Sequence, residues 1–417
     1  MAFRHTLLVA AVVAMLSASA HALELDPMVI PEINIGGRAI VTANYQDQEL
    51  ADGGSESDSE LDIADSSLLF GFSKYLFSDQ DYGFAAFGIK LPEDDSDLED
   101  DIYVHEVHVG IGGPRYELKL GRSRLTNTLV QFPTLRDDDL LEFTHVLNGS
   151  SNAEAEEFQI FGGLVQGSWW FTPAVRLTGA LTARTETDDH GDRESSSNFN
   201  GGSLTLAYEI PETIKFDRGV RFAGISVDYQ DLDDMVLGHG EAARSLSSDD
   251  MTAIIAALTY NLSNDPERFW VLDGQAIYND GAEVASLHSE IERARAESTT
   301  VALALRYFHR PYLQTRWQAA VALGWKDYRD FDDATAYTVV PTFVYRLGAG
   351  VDLLAQYQYR HNDTGLAAAL GVDDEHRIAV GISFAFDYTL NESVGERGSI
   401  LNLEHDTLDL GPVGGGH

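Results

Sequence analysis

The sequence lacks cysteine altogether, has few basic residues and contains no long apolar segment after its first 22 residues. The absence of cysteine among 417 residues excludes disulfides, thiol catalysis and cysteine-ligated metal or iron–sulfur sites. The chain has only 28 Lys and Arg residues but 67 Asp and Glu residues, so its formal net charge is −39. A phosphate backbone would repel such a chain, which argues against nucleic-acid binding. Because no run of about 18 apolar residues follows, no transmembrane helix is expected.

The first 22 residues have the three parts of a secretory signal peptide. Arg4 and His5 supply a positive start, residues 7–16 form a short apolar core, and residues 20–22 (Ala-His-Ala) match an A-x-A cleavage site. The apolar core is too short to span a membrane as a helix. We therefore expect residues 1–22 to be removed on export. An exported chain without cysteine fits a bacterial envelope protein that is not stabilised by disulfides.

Most of the remaining sequence alternates between apolar and polar residues, which indicates β-strands with two different faces. In residues 312–328, for example, Leu323 and Trp325 share one face, whereas Gln318 and Lys326 share the other. Such segments lie at residues 32–46, 61–75, 82–92, 100–112, 114–122, 154–170, 173–185, 198–210, 219–231, 250–262, 267–279, 297–308, 312–328, 335–346, 350–361 and 375–388. The even number of segments would place both ends of the sheet on the same side.

Two features favour a membrane barrel over a soluble β-sandwich, which would also alternate. Aromatic residues cluster at strand ends, as the girdles of a transmembrane barrel do: Tyr45, Tyr75, Trp169, Trp170, Tyr260, Trp325 and Tyr388. Short turns also alternate with long polar loops, as they do in outer-membrane barrels. The long loops lie at residues 47–60, 93–99, 186–197, 232–249, 280–296 and 362–374. We predict an all-β fold, a transmembrane antiparallel β-barrel of about 16 strands over residues 23–388, in the Gram-negative outer membrane. Fourteen or eighteen strands remain possible, and a barrel of about this size encloses an aqueous channel.

The connection at residues 123–153 is longer than a loop without structure or function usually is. Its segment 138–149 has a second interpretation as a further strand, which would break the in–out alternation of the barrel. The loop carries a group of acidic residues, Asp137, Asp138, Asp139 and Glu142. These acids also suit the start of a short helix, where carboxylates interact favourably with the helix dipole. Both interpretations hold if the helical turn lies inside the barrel.

The residues that lead into this loop carry a family resemblance. Residues 116–124 end in a Gly121-Arg122 step that resembles the same place in the Gram-negative general porins. The resemblance implies a third loop that folds into the lumen and narrows it, with acidic residues facing a row of arginines. The acidic side would be Asp137, Asp138, Asp139 and Glu142. Arg122 would belong to the arginines, and Arg38 and Arg176 are added by strand parity alone. The resemblance also implies a homotrimer among outer-membrane lipids and lipopolysaccharide.

The last predicted strand carries a second resemblance. Gly381, Phe384 and Phe386 resemble the closing-strand signal that the outer-membrane assembly machinery recognises in this family. Family members usually end at a terminal aromatic residue, whereas this chain continues through residues 389–417. This tail is polar and ends in a glycine run at 414–416, so we expect a flexible periplasmic tail. The alternative is a plug that enters the lumen from the periplasm.

The sequence predicts a porin for passive diffusion of small hydrophilic solutes and cations, with no enzymatic activity, cofactor or metal. The cation preference rests on acidic loops at 47–60 and 93–101, whose summed field would concentrate cations. These loops have two other interpretations, a solubilising surface and Ca²⁺ or Mg²⁺ bridging to lipid headgroups. His105 and His108 fall on opposite strand faces, which argues against a metal site there. A substrate-specific channel, for example for sugars, a plugged or structural barrel and an outer-membrane enzyme remain alternatives.

Overall fold

Antiparallel strands, each paired with its neighbour in sequence, build the main sheet of the protein. The computed structural model describes residues 32–62, 66–76, 80–90, 103–122, 129–130, 132–135, 140–141, 164–183, 186–187, 193–194, 199–210, 217–231, 236–237, 244–245, 250–282, 284–288, 290–311, 314–348 and 350–390. Neither of the helices within these residues has the length and hydrophobicity needed to cross a membrane.

The elements follow one another in a simple order. The strands are β1 (Glu32–Leu50), β2 (Ser55–Asp62), β3 (Ser67–Tyr75), β4 (Tyr82–Lys90), β5 (Tyr103–Gly113), β6 (Tyr116–Arg122), β7 (Leu164–Thr172), β8 (Val175–Ala183), β9 (Glu186–Thr187), β10 (Arg193–Glu194), β11 (Phe199–Glu209), β12 (Gly219–Gln230), β13 (Val236–Leu237), β14 (Arg244–Ser245), β15 (Met251–Asn261), β16 (Arg268–Asp280), β17 (Ser298–His309), β18 (Trp317–Tyr328), β19 (Thr335–Gly348), β20 (Val351–Asn362) and β21 (Val372–Leu390). The helices are α1 (Glu290–Arg295) and α2 (Thr364–Leu370).

The sheet closes on itself because its first and last strands pair. β1 and β21 are antiparallel from Ile33 opposite Leu390 to Leu50 opposite Val372. β2 and β3 both pair with β1 and together form one interrupted strand. The seventeen segments of the main sheet therefore make a closed barrel of 16 strands, which confirms the predicted fold. Closure leaves no sheet edge with unpaired backbone groups, as hydrocarbon requires.

The two faces of the wall differ as the alternation predicts. In β15, Ala253 and Ile255 point inward and are fully buried, whereas Ile254 and Leu258 point outward and are 45% and 42% exposed. The same alternation of buried and exposed residues runs through β16, β17 and β18. Outward aromatic side chains lie near the strand ends, as in the row Trp270, Tyr307 and Trp317, whose ring centroids are 4.7 and 5.1 Å apart. The outer face is therefore an apolar band bordered by aromatic residues.

The acidic segment 47–60, which the sequence predicts as a loop, is instead a strand extension. It forms the end of β1 and most of β2, joined by a turn at residues 51–54. Gln48 pairs with Glu56 of β2 and, on its other side, with Glu375 of β21. The expectation was wrong because backbone pairing holds this hairpin together, and a segment exposed on both faces has no need to alternate.

The extracellular end of the barrel carries a small apolar cluster beneath the helices. Leu287, Tyr328 and Leu366 are buried in it together with Leu140 of the third loop. The loop predicted at 362–374 is largely α2 and the beginning of β21, and the loop predicted at 280–296 contains α1. The predicted strand at 154–170 is described only from Leu164, where β7 begins, and β18 begins at Trp317 rather than residue 312. The loops predicted at 186–197 and 232–249 contain the short pairs β9–β10 and β13–β14.

Candidate functional site

The described segments of the third loop, residues 129–130, 132–135 and 140–141, lie inside the barrel against the wall farthest from the strand that leads into the loop. Leu129, Val130, Phe132 and Leu141 of this loop are buried in one cluster with inward side chains of the wall. β18 lies eight strands from β6 in either direction around the barrel, and Ala322 of β18 belongs to that cluster. The loop therefore crosses the lumen, as the sequence predicts.

Three side chains of the wall hold the loop by hydrogen bonds to its backbone. Thr342 of β19 donates through Oγ1 to the carbonyl oxygen of Pro133 at 2.7 Å. Gln356 of β20 accepts through Oε1 from the N–H of Leu135 at 2.7 Å. Gln275 of β16 donates through Nε2 to the carbonyl oxygen of Leu141 at 3.3 Å. These bonds satisfy buried backbone groups of the loop that would otherwise lose their water partners.

The wall that receives the loop is lined by small apolar residues instead of the polar side chains usual in a lumen. They are Ala257 of β15, Ala302 and Ala304 of β17 and Ala322 of β18. Gly324 continues this row, and a Cβ there would lie 2.4 Å from the carbonyl oxygen of Leu140. The small side chains leave space for the loop. This run of Ala and Gly at inward positions is the sequence signal that could have located the docking wall.

The acidic residues predicted to line the constriction, Asp137, Asp138, Asp139 and Glu142, lie outside the described residues. The described loop residues on either side of Asp137–Asp139 are buried inside the barrel. Leu135 packs against Ile40 of β1 and Leu354 of β20, and Leu140 packs in the cluster beneath the helices. A constriction formed by these acids therefore stays a prediction, now with both neighbouring segments placed inside the barrel.

The arginines predicted to face the loop do not form one row. Arg38 of β1 is inward and 7% exposed. Arg176 of β8 shares its strand face with the buried Thr178, and its guanidinium lies 5.8 Å from the ring of Trp170. The two strands stand six positions apart in the barrel. Arg122 is the last residue of β6 and pairs with Val107, and its side chain lies outside the described part.

Three further inward arginines on neighbouring strands were missed, two near the extracellular end of the wall and one near its periplasmic end. Arg346, Arg360 and Arg377 lie on the inward faces of β19, β20 and β21, next to β1 with Arg38. The alternation in residues 350–361 and 375–388 already placed Arg360 and Arg377 on the polar face. The inward position of these two arginines could therefore be predicted from the sequence.

Most of these lumen cations lie next to an acidic or amide side chain. Arg346 Nε is 3.2 Å from Asp352 Oδ1, Arg377 pairs with Glu375, and Arg360 Nε donates to Asn362 Oδ1 at 3.2 Å. Two pairs lie elsewhere on the wall: Arg306 with Asp273 at 2.6 Å, and Lys119 with Glu117 at 3.3 Å. The described wall is thus polar and close to charge balance, in contrast to the whole chain. Among the described residues, no three His, Asp or Glu side chains group closely enough to hold a metal ion.

Comparison with known proteins agrees with this geometry. The family model described as "Gram-negative porin" matches residues 8–365. The chain belongs to the Gram-negative porin family. This porin is therefore an outer-membrane β-barrel channel for small solutes, and its family and fold indicate a channel rather than an enzyme. A comparison with curated protein sequences finds no match.

Solved porin structures share the fold of this porin at low sequence identity. An anion-selective porin from Comamonas acidovorans has a TM-score of 0.55 and 14% identity, with 86% of this chain and 100% of that chain covered. OmpF of Salmonella typhi, in complex with daunomycin, has a TM-score of 0.55 and 13% identity, with 86% of this chain and 100% of that chain covered. The outer-membrane channel DcaP of Acinetobacter baumannii has a TM-score of 0.52 and 13% identity, with 85% of this chain and 97% of that chain covered. Such identities establish the fold alone.

The extracellular rim of this porin is acidic where β1 and β2 extend above the barrel. This hairpin rim carries carboxylates and no Lys or Arg; its acids are Asp47, Glu49, Asp52, Glu56, Asp58, Glu60 and Asp62. Residues 55–61 are all exposed. The rim lies at the barrel end opposite the short turns, which is the extracellular end in outer-membrane barrels.

The predicted assembly signal lies in the strand that closes this porin. Phe384 and Phe386 point outward, 51% and 40% exposed, with ring centroids 6.0 Å apart. Gly381 lies so close to β1 that a Cβ there would be 2.4 Å from the carbonyl oxygen of Val41. Phe384 and Phe386 thus lie on the outward face of the strand that closes the barrel. Recognition of these residues by the assembly machinery stays a prediction.

Proposed function

We propose that this porin is a diffusion channel for small hydrophilic solutes and that its preference for cations arises at its extracellular rim. The observation that supports it is the contrast between two regions. The hairpin rim has only acidic charges, whereas the charges of the described wall are largely paired. A mouth that carries acidic residues and no basic ones raises the local cation concentration, while paired charges largely cancel at a distance.

The acids of the third loop would add to this preference inside the barrel. Asp137, Asp138, Asp139 and Glu142 belong to a loop whose described segments lie in the lumen. Carboxylates around a narrow pore favour cations. A homotrimer and contacts with lipopolysaccharide, which the family resemblance implies, belong to the same proposal.

The test is the reversal potential of the purified protein in a planar bilayer under a KCl gradient. The variant replaces five rim acids with amides: Asp47→Asn, Glu49→Gln, Glu56→Gln, Asp58→Asn and Glu60→Gln. At low salt we expect the permeability ratio of K⁺ to Cl⁻ to fall about threefold, the Boltzmann factor for a local potential of about one kT. At about 1 M salt the Debye length is only about 3 Å, so the difference should vanish.

The control variant neutralises three exposed carboxylates of the periplasmic turns: Asp217→Asn, Asp265→Asn and Glu267→Gln. These acids are fewer and have Arg218 and Arg268 beside them in sequence, so we expect a much smaller change. An anion-selective wild-type channel, or a rim variant that behaves like wild type at low salt, would contradict the proposal.

A further inference from the structure

A pocket lies in the lumen where β1, β21 and β20 run side by side, on the extracellular side of the third loop. Leu135 of that loop borders the pocket and packs against Ile40 and Leu354, which lie closer to the periplasm. Four amides, one arginine and one alanine from the three strands line the pocket: Asn44, Gln46, Gln356, Gln358, Arg377 and Ala379. The pocket is thus built by the barrel wall and bordered on its periplasmic side by the third loop.

These six residues form two rows across the three strands, because the strand register pairs them directly. Written from β1 through β21 to β20, the rows are Gln46, Arg377, Gln358 and, nearer the periplasm, Asn44, Ala379, Gln356. Directly paired residues share one face of a sheet, so all six belong to the lumen face. The small side chain of Ala379 therefore leaves a depression between four amides and the Arg377 guanidinium.

Arg377 is held at the upper edge of this depression by its own strand. Its Nε donates to Glu375, the next inward residue of β21, and the Arg377 side chain is 35% exposed. A guanidinium has five N–H donors, and the bond to Glu375 uses one of them. Because the other donors match the two oxygens of a carboxylate, this edge of the pocket suits a carboxylate that arrives through the lumen.

The amides below Arg377 suit a solute that both donates and accepts hydrogen bonds. The Oε1 atom of Gln356 accepts from the N–H of Leu135 at 2.7 Å, and this bond fixes the orientation of the carboxamide. The Nε2 donors of Gln356 lie on the other branch of the same group. Side-chain amides around a depression therefore complement a peptide amide, which also has one donor and one acceptor.

A carboxylate borders the pocket on the side away from Arg377. Glu60 of β2 lines the pocket and pairs with Asn44. Two strand spacings and a two-residue step separate Glu60 from Arg377, which places their Cα atoms roughly 12 Å apart. Two extended peptide residues span about 7 Å, and the two side chains cover the remaining distance. The pocket therefore offers a cation and an anion at a separation that fits the two ends of a dipeptide.

We propose that this pocket binds a zwitterionic solute of dipeptide size. The carboxylate of the solute lies on Arg377, its ammonium group lies toward Glu60, and its peptide amide bonds to the amides between them. The inference rests on the proposed function, because it names a substrate class for the same channel.

The charges along the entry path favour a solute that carries both signs. The hairpin rim carries acids and no Lys or Arg, so its field opposes a purely anionic solute. Arg377 opposes a purely cationic solute inside the pocket. A zwitterion has no net charge for the rim to repel, and each of its ends meets a group of opposite sign.

The acids of the third loop are the competing partners of Arg377. Asp137, Asp138 and Asp139 follow Leu135 by two to four residues and lie outside the described residues. A loop carboxylate on Arg377 would take the place of the solute. The solute is favoured because Glu375 already balances the charge of Arg377, so the arginine needs no acid from the loop.

The test records single-channel K⁺ current in a planar bilayer while glycylglycine is added to both sides. We expect the peptide to reduce the current in a saturable way. Glycylglycine amide lacks the carboxylate and N-acetylglycylglycine lacks the ammonium group, so each should need a concentration about tenfold higher, as for the loss of one charge-assisted contact. Equal effects of all three compounds, or a reduction that does not saturate, would overturn the proposal.

Two variants locate the effect in the pocket. Arg377→Gln should raise the half-saturating concentration of glycylglycine about tenfold and leave that of glycylglycine amide unchanged. Lys119→Gln is the matched control, because Lys119 is also an inward cation beside a glutamate, at 3.3 Å from Glu117, but lies five strands from β21. If Arg377→Gln does not fold, Ala379→Leu fills the depression without changing a charge and should weaken all three compounds. Equal weakening by Arg377→Gln and Lys119→Gln, or an unchanged response of Ala379→Leu, would overturn the proposal.

The remaining outcomes separate this inference from the diffusion channel. A cation-selective current that glycylglycine does not reduce would overturn the inference and leave the proposed function standing. If glycylglycine acts only on the variant Asp137→Asn, Asp138→Asn and Asp139→Asn, a loop acid occupies Arg377 and the proposal is wrong. If no form conducts, the diffusion channel fails, and equilibrium dialysis of glycylglycine against the solubilised wild type and Arg377→Gln decides whether the pocket binds it.

Discussion

Gly324 of β18 lies directly beneath Leu140 of the third loop, so that a Cβ at Gly324 would be 2.4 Å from the Leu140 carbonyl oxygen. The loop can rest on the wall only because this position has no side chain. Gly324→Ala should push the loop toward the lumen, lower the single-channel conductance and reduce stability by about 1–3 kcal/mol, the usual effect of overpacking. Thermal unfolding measures the stability, and bilayer recording measures the single-channel conductance.

The control for this substitution is Gly179→Ala on β8. Its Cβ would meet only Leu204 Cδ1, at 3.8 Å, which is ordinary van der Waals contact. If both alanine variants behave alike, close contact between the loop and β18 is not what determines the channel width.

The hydrogen bonds from the wall to the loop lead to a second prediction. Thr342→Val removes the donor to the Pro133 carbonyl oxygen and should cost about 1 kcal/mol of stability. Because the loop then loses one of its anchors, we expect larger current fluctuations in bilayer recordings. Thr299→Val, at a half-buried position on the outward face of β17, is the control and should leave the noise unchanged. If the current fluctuations of Thr342→Val equal those of the wild type, the other contacts are sufficient to hold the loop.

The pair Asp273–Arg306 is buried in the wall, and Asp273 also accepts a hydrogen bond from Thr259 Oγ1 at 2.8 Å. Asp273→Asn should destabilise the barrel by about 3–5 kcal/mol, because it leaves the Arg306 charge buried without its carboxylate. Combining Asp273→Leu with Arg306→Met should cost clearly less than either single change, since no unpaired charge remains. Unfolding in denaturant measures the stability of Asp273→Asn, of the single variants Asp273→Leu and Arg306→Met, and of the double variant. Additive losses would show that the two side chains act independently.

Strand parity explains how much of the fold could be predicted from the sequence. Membrane strands have one lipid face and one lumen face, so alternation locates them and orients residues such as Arg38 and Arg360. It fails where both faces meet water, as in β2, which is why the acidic hairpin was missed.

The candidate site was harder to predict because it depends on contacts between distant residues. Leu135 and Gln356 are 221 residues apart in sequence, and no local pattern indicates that they meet. The small inward residues Ala302, Ala322 and Gly324 were visible in the sequence, but their meaning depends on knowing that a loop lies against them. The paired state of Arg346 and Asp352 likewise follows from strand register rather than from composition.

The acids of the third loop and those of the rim should differ in their response to salt. Replacing Asp137, Asp138 and Asp139 by Asn should shift the selectivity toward anions, and the shift should persist at about 1 M KCl, because charges in a narrow pore are screened less than exposed ones. The rim variant should lose its effect at that concentration. The reversal potential at both salt concentrations measures the difference. An effect of the loop variant that disappears at high salt would place these acids outside the constriction.

The most direct test of a cation-preferring diffusion channel is the reversal potential of the wild-type protein under a KCl gradient at low salt. We expect stable single-channel steps and a cation-selective reversal potential. A reversal potential of zero or of the opposite sign would contradict the cation preference. No conductance from either the full-length chain or the chain truncated after Leu390 would contradict the diffusion channel itself.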